Sequence, residues 1–121
     1  MASEREKELK RQYKEMKPDM GVFWIHPREI KACYLQATQD FRGVMNGALV
    51  RLRGGMHPFR GLQKAWNELG EEAFCIEVLE RLPYDDKDET KTDYSEELEL
   101  LRMIWEERLQ AQGYSFYGKR A

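Results

Sequence analysis

Two short segments rich in β-branched and aromatic residues, Gly21-Val22-Phe23-Trp24-Ile25 and Ile30-Lys31-Ala32-Cys33-Tyr34-Leu35-Gln36, flank the turn-forming run His26-Pro27-Arg28-Glu29. Residues of these types favour extended chain, and the proline breaks the first run. The pattern predicts a β-hairpin over 21–25 and 30–36. A lone hairpin is only marginally stable in water, so the rest of the chain has to cover it.

The cover is legible after Thr38. Phe41, Val44, Met45, Ala48, Leu49 and Leu52 recur at the spacing of one helical face, and Gly54-Gly55 ends the run. Gly43 and Gly47 stand one turn apart inside it, which fits either a close backbone approach or simple tolerance of their cost of roughly 1 kcal/mol each. His57-Pro58 suits the first turn of a second helix, lined by Leu62, Ala65, Trp66 and Leu69 and stopped by Gly70. Residues 73–79 read as a strand beside the hairpin, with Phe74, Ile76 and Val78 on one face. Pro83 to Asp93 is an acidic connection. A capping box at Asp93-Tyr94-Ser95-Glu96 then opens a last helix with Leu98, Leu101, Ile104, Trp105 and Leu109 on its apolar stripe. Another box, Ser3-Glu4-Arg5-Glu6, starts an N-terminal helix that runs to about Lys17 and stops at Pro18.

With 121 residues, 41% of them hydrophobic and 12% aromatic, the chain suits one α+β domain with a real core. Its longest uncharged stretch, Gly43 to Val50, is far shorter than a membrane-spanning helix requires. The charged N-terminus has no apolar segment of the signal-peptide kind. A cytoplasmic protein with no membrane association is therefore the expectation. Cys33 and Cys75 supply neither a disulfide framework nor a zinc ligand set, and both read as reduced core thiols.

Charge is unevenly spread. Residues 1–70 hold 13 Lys/Arg against 8 Asp/Glu, and residues 71–121 hold 7 against 14. The asymmetry fits a basic face for a polyanion as well as solvated helices that differ in sign. Arg42, Arg51, Arg53, Arg60 and Lys64 concentrate positive charge in the middle of the chain and are the candidate nucleic-acid contacts. No Gly-rich phosphate loop, serine nucleophile elbow or paired-histidine metal motif is present. His26 falls in the predicted turn and His57 beside a helix start, so both are read as solvated or capping.

Gly21-Val22-Phe23 resembles the first signature triplet of the GIY-YIG nuclease family, and Tyr34-Leu35-Gln36 the second. The following segments, Thr38-Gln39-Asp40-Phe41, His57-Pro58, Leu62-Gln63-Lys64, Trp66-Asn67 and Gly70-Glu71-Glu72-Ala73-Phe74, are similar to those of bacterial members of its homing-endonuclease-like branch. The resemblance implies a small α/β sandwich over residues 20–118, with a three-stranded antiparallel sheet flanked by helices and an extra helix over 1–19. It also implies hydrolysis of a DNA phosphodiester at a single divalent metal, using a hairpin tyrosine, an arginine and a metal-binding glutamate.

Carried over by position, those roles are mostly vacated. Tyr34 keeps the second tyrosine, but Phe23 stands at the first, Val44 at the arginine, and Ala48 at a histidine often found one turn later. With Trp105 matched to the aromatic residue after the metal glutamate, Arg102 takes the glutamate's place. Neither Gly113-Tyr114-Ser115 nor Phe116-Tyr117-Gly118 supplies the asparagine of the closing motif. The expectation is a catalytically impaired GIY-YIG-fold protein that binds nucleic acid or regulates, with no cofactor. One alternative is a magnesium- or manganese-dependent endonuclease that uses Glu99 or Glu106, together with Arg42, as relocated groups. Another is a protein-interaction domain that contacts a partner through its N-terminal helix and the acidic run from Asp85 to Glu89.

Overall fold

The computed structural model describes residues 17–88 and 90–117. The predicted N-terminal helix and its capping box lie outside these residues, as does Gly118. Strands β1 (Met20–Pro27) and β2 (Ala32–Thr38) form the hairpin, and β3 (Phe74–Leu82) lies antiparallel to β1 on the other side. A two-residue strand, β4 (Ser115–Phe116), pairs parallel to β2 at Ala32 and Cys33, so the sheet is four-stranded and mixed in the order β3-β1-β2-β4. The expected three-stranded antiparallel sheet is corrected by this addition. Two residues carry no periodicity, and only the chain's return after its last helix puts them beside β2.

Helices α1 (Phe41–Arg53) and α2 (Arg60–Leu69) cover one face of the sheet, and α3 (Ser95–Ala111) covers the other. Alternation along β1 divides its side chains between the two layers. Phe23 and Ile25 join Tyr34, Phe41, Ala48, Leu52, Leu62, Trp66 and Phe74 in the main core. Met20 packs with Tyr94 and Leu98 on the α3 side. Phe41 meets Phe23 edge to face at 6.4 Å, and Trp66 meets Phe74 at 5.2 Å. The stripe predicted for α1 is the buried one. Leu69 and Ile104, predicted to be covered, are 42% and 37% exposed: Leu69 is the last residue of α2, and α3 buries its stripe fully only at Leu98 and Leu109.

Local chemistry sets the element ends. Asp40 caps α1, its carboxylate accepting from the Gly43 amide at 3.1 Å. A Cβ at Gly43 would run into that same Asp40 side chain, whereas one at Gly47 meets nothing, so no neighbouring backbone approaches α1 there. His57-Pro58 precedes α2 instead of forming its first turn, since Phe59 is the extended residue before Arg60. Tyr94, not Asp93, stands at the cap of α3. The Asp93 carboxylate closes a turn onto the Ser95 amide at 3.0 Å. The connection before α3 is tied down as the Tyr84 hydroxyl donates to the Pro18 carbonyl and the Asp85 amide donates to the Tyr94 hydroxyl.

Gly21 has a φ of +151° and lies where β3 crosses close by, and a Cβ there would stand 2.8 Å from the Arg81 Cα. The register of β1 on β3 shifts between Val22 and Phe23, directly after this approach. Cys33 is fully buried, and desolvation pushes its thiol up to about 12. Cys75 departs from the expected core thiol: it is half-buried on β3, where its sulfur accepts from Arg28 Nε at 3.0 Å. His26 belongs to β1 and not to a turn, because the strand continues through Pro27 before reversing. No helix among the described residues is long and apolar enough to cross a membrane.

Candidate functional site

β4 pairs only with the first two residues of β2, which leaves the β2 edge open beyond Cys33. Along that edge Tyr34 and Gln36 point toward the α1/α2 layer, while Leu35 and Ala37 point toward α3. A cleft of about 690 Å³ wraps this edge. Val44, Ala48 and Arg51 of α1 line one wall with the loop His57-Pro58-Phe59. Glu99, Arg102 and Glu106 of α3 line the other, and Phe116 and Tyr117 close one end.

Tyr34 is 7% exposed, and its hydroxyl donates to Gln36 Oε1 at 2.8 Å. Its ring meets His57 edge-on at 5.3 Å and Phe59 at 4.9 Å. The retained signature tyrosine therefore opens on a polar cleft, not on an apolar plug. Phe23 lies in the sealed core behind it and does not line the cleft, so the two signature positions do not converge on one reacting group here.

His57 is buried, so of the two expected roles, solvated or capping, the solvated one is overturned and a local contact to the backbone before α2 remains. Its Nδ1 accepts from the Phe59 amide at 3.2 Å, which puts the proton of the neutral ring on Nε2. Burial, reinforced by the nearby Arg51 charge, holds its pKa below the ordinary value. Gln63 fixes the loop beneath it. Gln63 Oε1 accepts from the His57 amide at 3.0 Å, and its Nε2 donates to the Leu52 carbonyl and to Asn67 Oδ1, each at 2.9 Å. One buried amide thus joins the end of α1, the loop and α2. Tyr117 at the cleft end has its phenol pKa raised, mainly by burial and then by Cys33.

On the opposite wall the Arg102 guanidinium donates to Glu99 at 2.7 and 3.1 Å, and to Glu106 at 3.1 Å. Glu99 first and Glu106 second hold its pKa above the usual range. Magnesium and manganese bind through anionic oxygens, and both carboxylates on this wall already face a guanidinium. The residues present do not fit the divalent ion that the resemblance implies.

Of the five cations predicted to contact nucleic acid, Arg51 lines the cleft. Arg42, Arg53, Arg60 and Lys64 are exposed outside it, and Arg53 is paired with Glu71 at 2.5 Å. Helical periodicity places residues on faces of a helix, but which of these cations meets the cleft is decided by how α1 packs along the β2 edge. Gln36, His57 and Tyr117 are cleft residues that sequence reasoning did not place among the candidate site residues. Of these, Gln36 had a legible signal, since it stands two residues from Tyr34 on one face of a strand.

No family model matches the chain, and no curated protein sequence matches it significantly. Among solved structures, the catalytic domain of the homing endonuclease I-TevI superposes with a TM-score of 0.64 at 19% identity, over 83% of this chain and 99% of that one. A mutant form of the catalytic domain of the intron endonuclease I-TevI does so with a TM-score of 0.63 at 20% identity, over 83% and 92%. At this identity the likeness is one of fold, and the chain therefore has the α+β fold of a GIY-YIG homing-endonuclease catalytic domain.

Proposed function

We propose that this protein is a nucleic-acid-binding or regulatory member of the GIY-YIG fold whose hydrolytic machinery is impaired. The observation that carries the reading is Arg102: at the position matched to the metal-binding glutamate, a guanidinium is bound between Glu99 and Glu106. Phosphodiester hydrolysis of the kind the resemblance implies needs a Lewis acid where negative charge develops. Here that place holds a fixed cation that has no coordination sites to offer. Val44 removes the second positive group, and Phe23 lacks the hydroxyl of the first tyrosine.

What remains suits binding. Arg51 faces the cleft from α1, and Arg42, Arg60 and Lys64 add exposed charge on α1 and α2 without an ion-pair partner among the described residues. Phosphate contacts need cations on rigid elements and no base-reading geometry, which matches this arrangement. Titration of labelled duplex and single-stranded DNA at low and high salt tests the reading. Affinity is expected to fall steeply with salt, and Arg51→Glu with Lys64→Glu is expected to flatten the slope by about 0.9 for each phosphate that is no longer neutralised. Salt-independent binding, or none at low salt, contradicts it.

The alternative, an endonuclease with relocated ligands, draws support from Glu99 and Glu106 lining the same cleft as Tyr34. Incubation with supercoiled plasmid and manganese separates the two. Nicking that Tyr34→Phe abolishes favours the enzyme, and an intact plasmid favours the binding module.

A further inference from the structure

On the α3 side of the sheet, away from the cleft, His26 of β1 stands directly opposite Cys75 of β3, and Glu77 lies two residues along β3 on the same face. One ligand atom from each, the His26 ring nitrogen, the Cys75 sulfur and a Glu77 carboxylate oxygen, fall within 4.8 Å of one another. We infer that His26, Cys75 and Glu77 form a binding site for a zinc-class divalent transition ion, through Nε2, Sγ and one carboxylate oxygen, with a fourth position open to water.

The histidine is already set for this role. Its Nδ1 lies 3.2 Å from the Pro27 carbonyl, an acceptor only, so Nδ1 carries the proton and Nε2 of the neutral ring is a bare lone pair. A backbone carbonyl on the far nitrogen is the usual way a metal-binding imidazole is oriented. That Nε2 is buried and has no hydrogen-bond partner, and it stands 3.8 Å from Glu77 Oε1. Two acceptors facing each other call for a cation or a proton between them. The Trp24 ring lies against the His26 ring, with centroids 3.9 Å apart and planes tilted by 31°.

The geometry needs little adjustment. Zinc bonds of about 2.0 to 2.3 Å in a tetrahedron put neighbouring ligand atoms about 3.3 to 3.8 Å apart, so closing from the observed separations takes side-chain rotation within two paired strands. Imidazole, thiolate and carboxylate together select a borderline-soft ion over magnesium or calcium. Arg28, an exposed residue, donates to the sulfur; a bound ion would replace that contact while the guanidinium returns to water. No residue of this group lines the cleft, so ion binding here is independent of the proposed function.

Cobalt(II) titration of the reduced full chain tests it, because a cobalt–thiolate bond gives a near-ultraviolet charge-transfer band. One equivalent is expected to produce the band, and zinc to remove it. Cys33→Ser should retain the band, Cys75→Ser should lose it, and Glu77→Gln, at a largely exposed carboxylate, should weaken cobalt binding by about tenfold or more. Far-ultraviolet circular dichroism of each variant, matching the parent, guards against misfolding. Absence of a thiolate band in the parent would overturn the inference and leave a His26–Glu77 ion pair as the role of these groups. A band that follows Cys33 instead of Cys75, or affinity unchanged in Glu77→Gln, overturns it too.

Discussion

Arg102 donates to Glu106 at 3.1 Å one helical turn away, and the same guanidinium reaches back to Glu99, so a single cation occupies both carboxylates on one wall of the cleft. Release of those carboxylates should change the chemistry of the wall more than the stability of the fold. The pairs are partly solvated, and i,i+3 and i,i+4 pairs of this kind contribute roughly 0.5 kcal/mol each. Arg102→Ala is expected to cost about 1 kcal/mol or less in chemical denaturation. Arg102→Glu is expected to bind manganese more tightly than the parent, read by calorimetry.

Gln63 carries a larger share of stability than its polarity suggests. Its amide satisfies the His57 N–H and the Leu52 carbonyl in a buried setting, and it is 8% exposed. Gln63→Met keeps the volume but leaves the buried His57 N–H unpaired and takes one of two donors from the Leu52 carbonyl, which keeps the Gly55 amide, at about 1 to 3 kcal/mol. The midpoint of urea unfolding should fall accordingly. Gln63→Glu, which still accepts from the His57 amide but buries a carboxylate against the Leu52 carbonyl, should lower it further at neutral pH.

The buried His57 gives stability a pH dependence of known sign. Its folded pKa lies below the ordinary 6.5, so above that value the ring is neutral both folded and unfolded, and it contributes no slope. Below pH 6.5 the unfolded ring takes up a proton that the folded ring resists, and stability falls as pH drops through the folded value. Thermal unfolding between about pH 7 and pH 5 should show this loss. His57→Gln, which never charges, should reduce it.

Gly21 is needed for packing between strands. Any Cβ there would collide with the β3 backbone at Glu80 and Arg81, at a φ that other residues rarely adopt. Neither neighbour is a flexible side chain that can yield. Gly21→Ala is expected to destabilise by more than about 2 kcal/mol, measured by denaturant titration, whereas Gly47→Ala on α1 should stabilise by up to about 1 kcal/mol. The two glycines look alike in the sequence, and their surroundings separate them.

The repeating parts of the fold are readable from the order of residues. Alternation of Phe23 and Ile25 with Trp24 marks β1, and the stripe from Phe41 to Leu52 marks α1, because periodic burial leaves a periodic pattern. Asp40 announces the start of α1 for the same local reason: its carboxylate bonds an amide three residues away. Tyr34 is also legible as a cleft residue, through the signature it completes. Where distant groups meet is a matter of packing. That His26 faces Cys75 depends on the register of β1 on β3, which a bulge at Val22/Phe23 resets. That His57 is buried depends on Gln63, six residues further along. That Arg102 pairs with Glu99 and Glu106 is local to α3, but that this group faces the same cleft as Tyr34 depends on α3 lying along the open edge of β2. Local periodicity states which face of an element is covered; the contact across an edge or a cleft comes from how elements pack, and no residue's neighbours in sequence encode it.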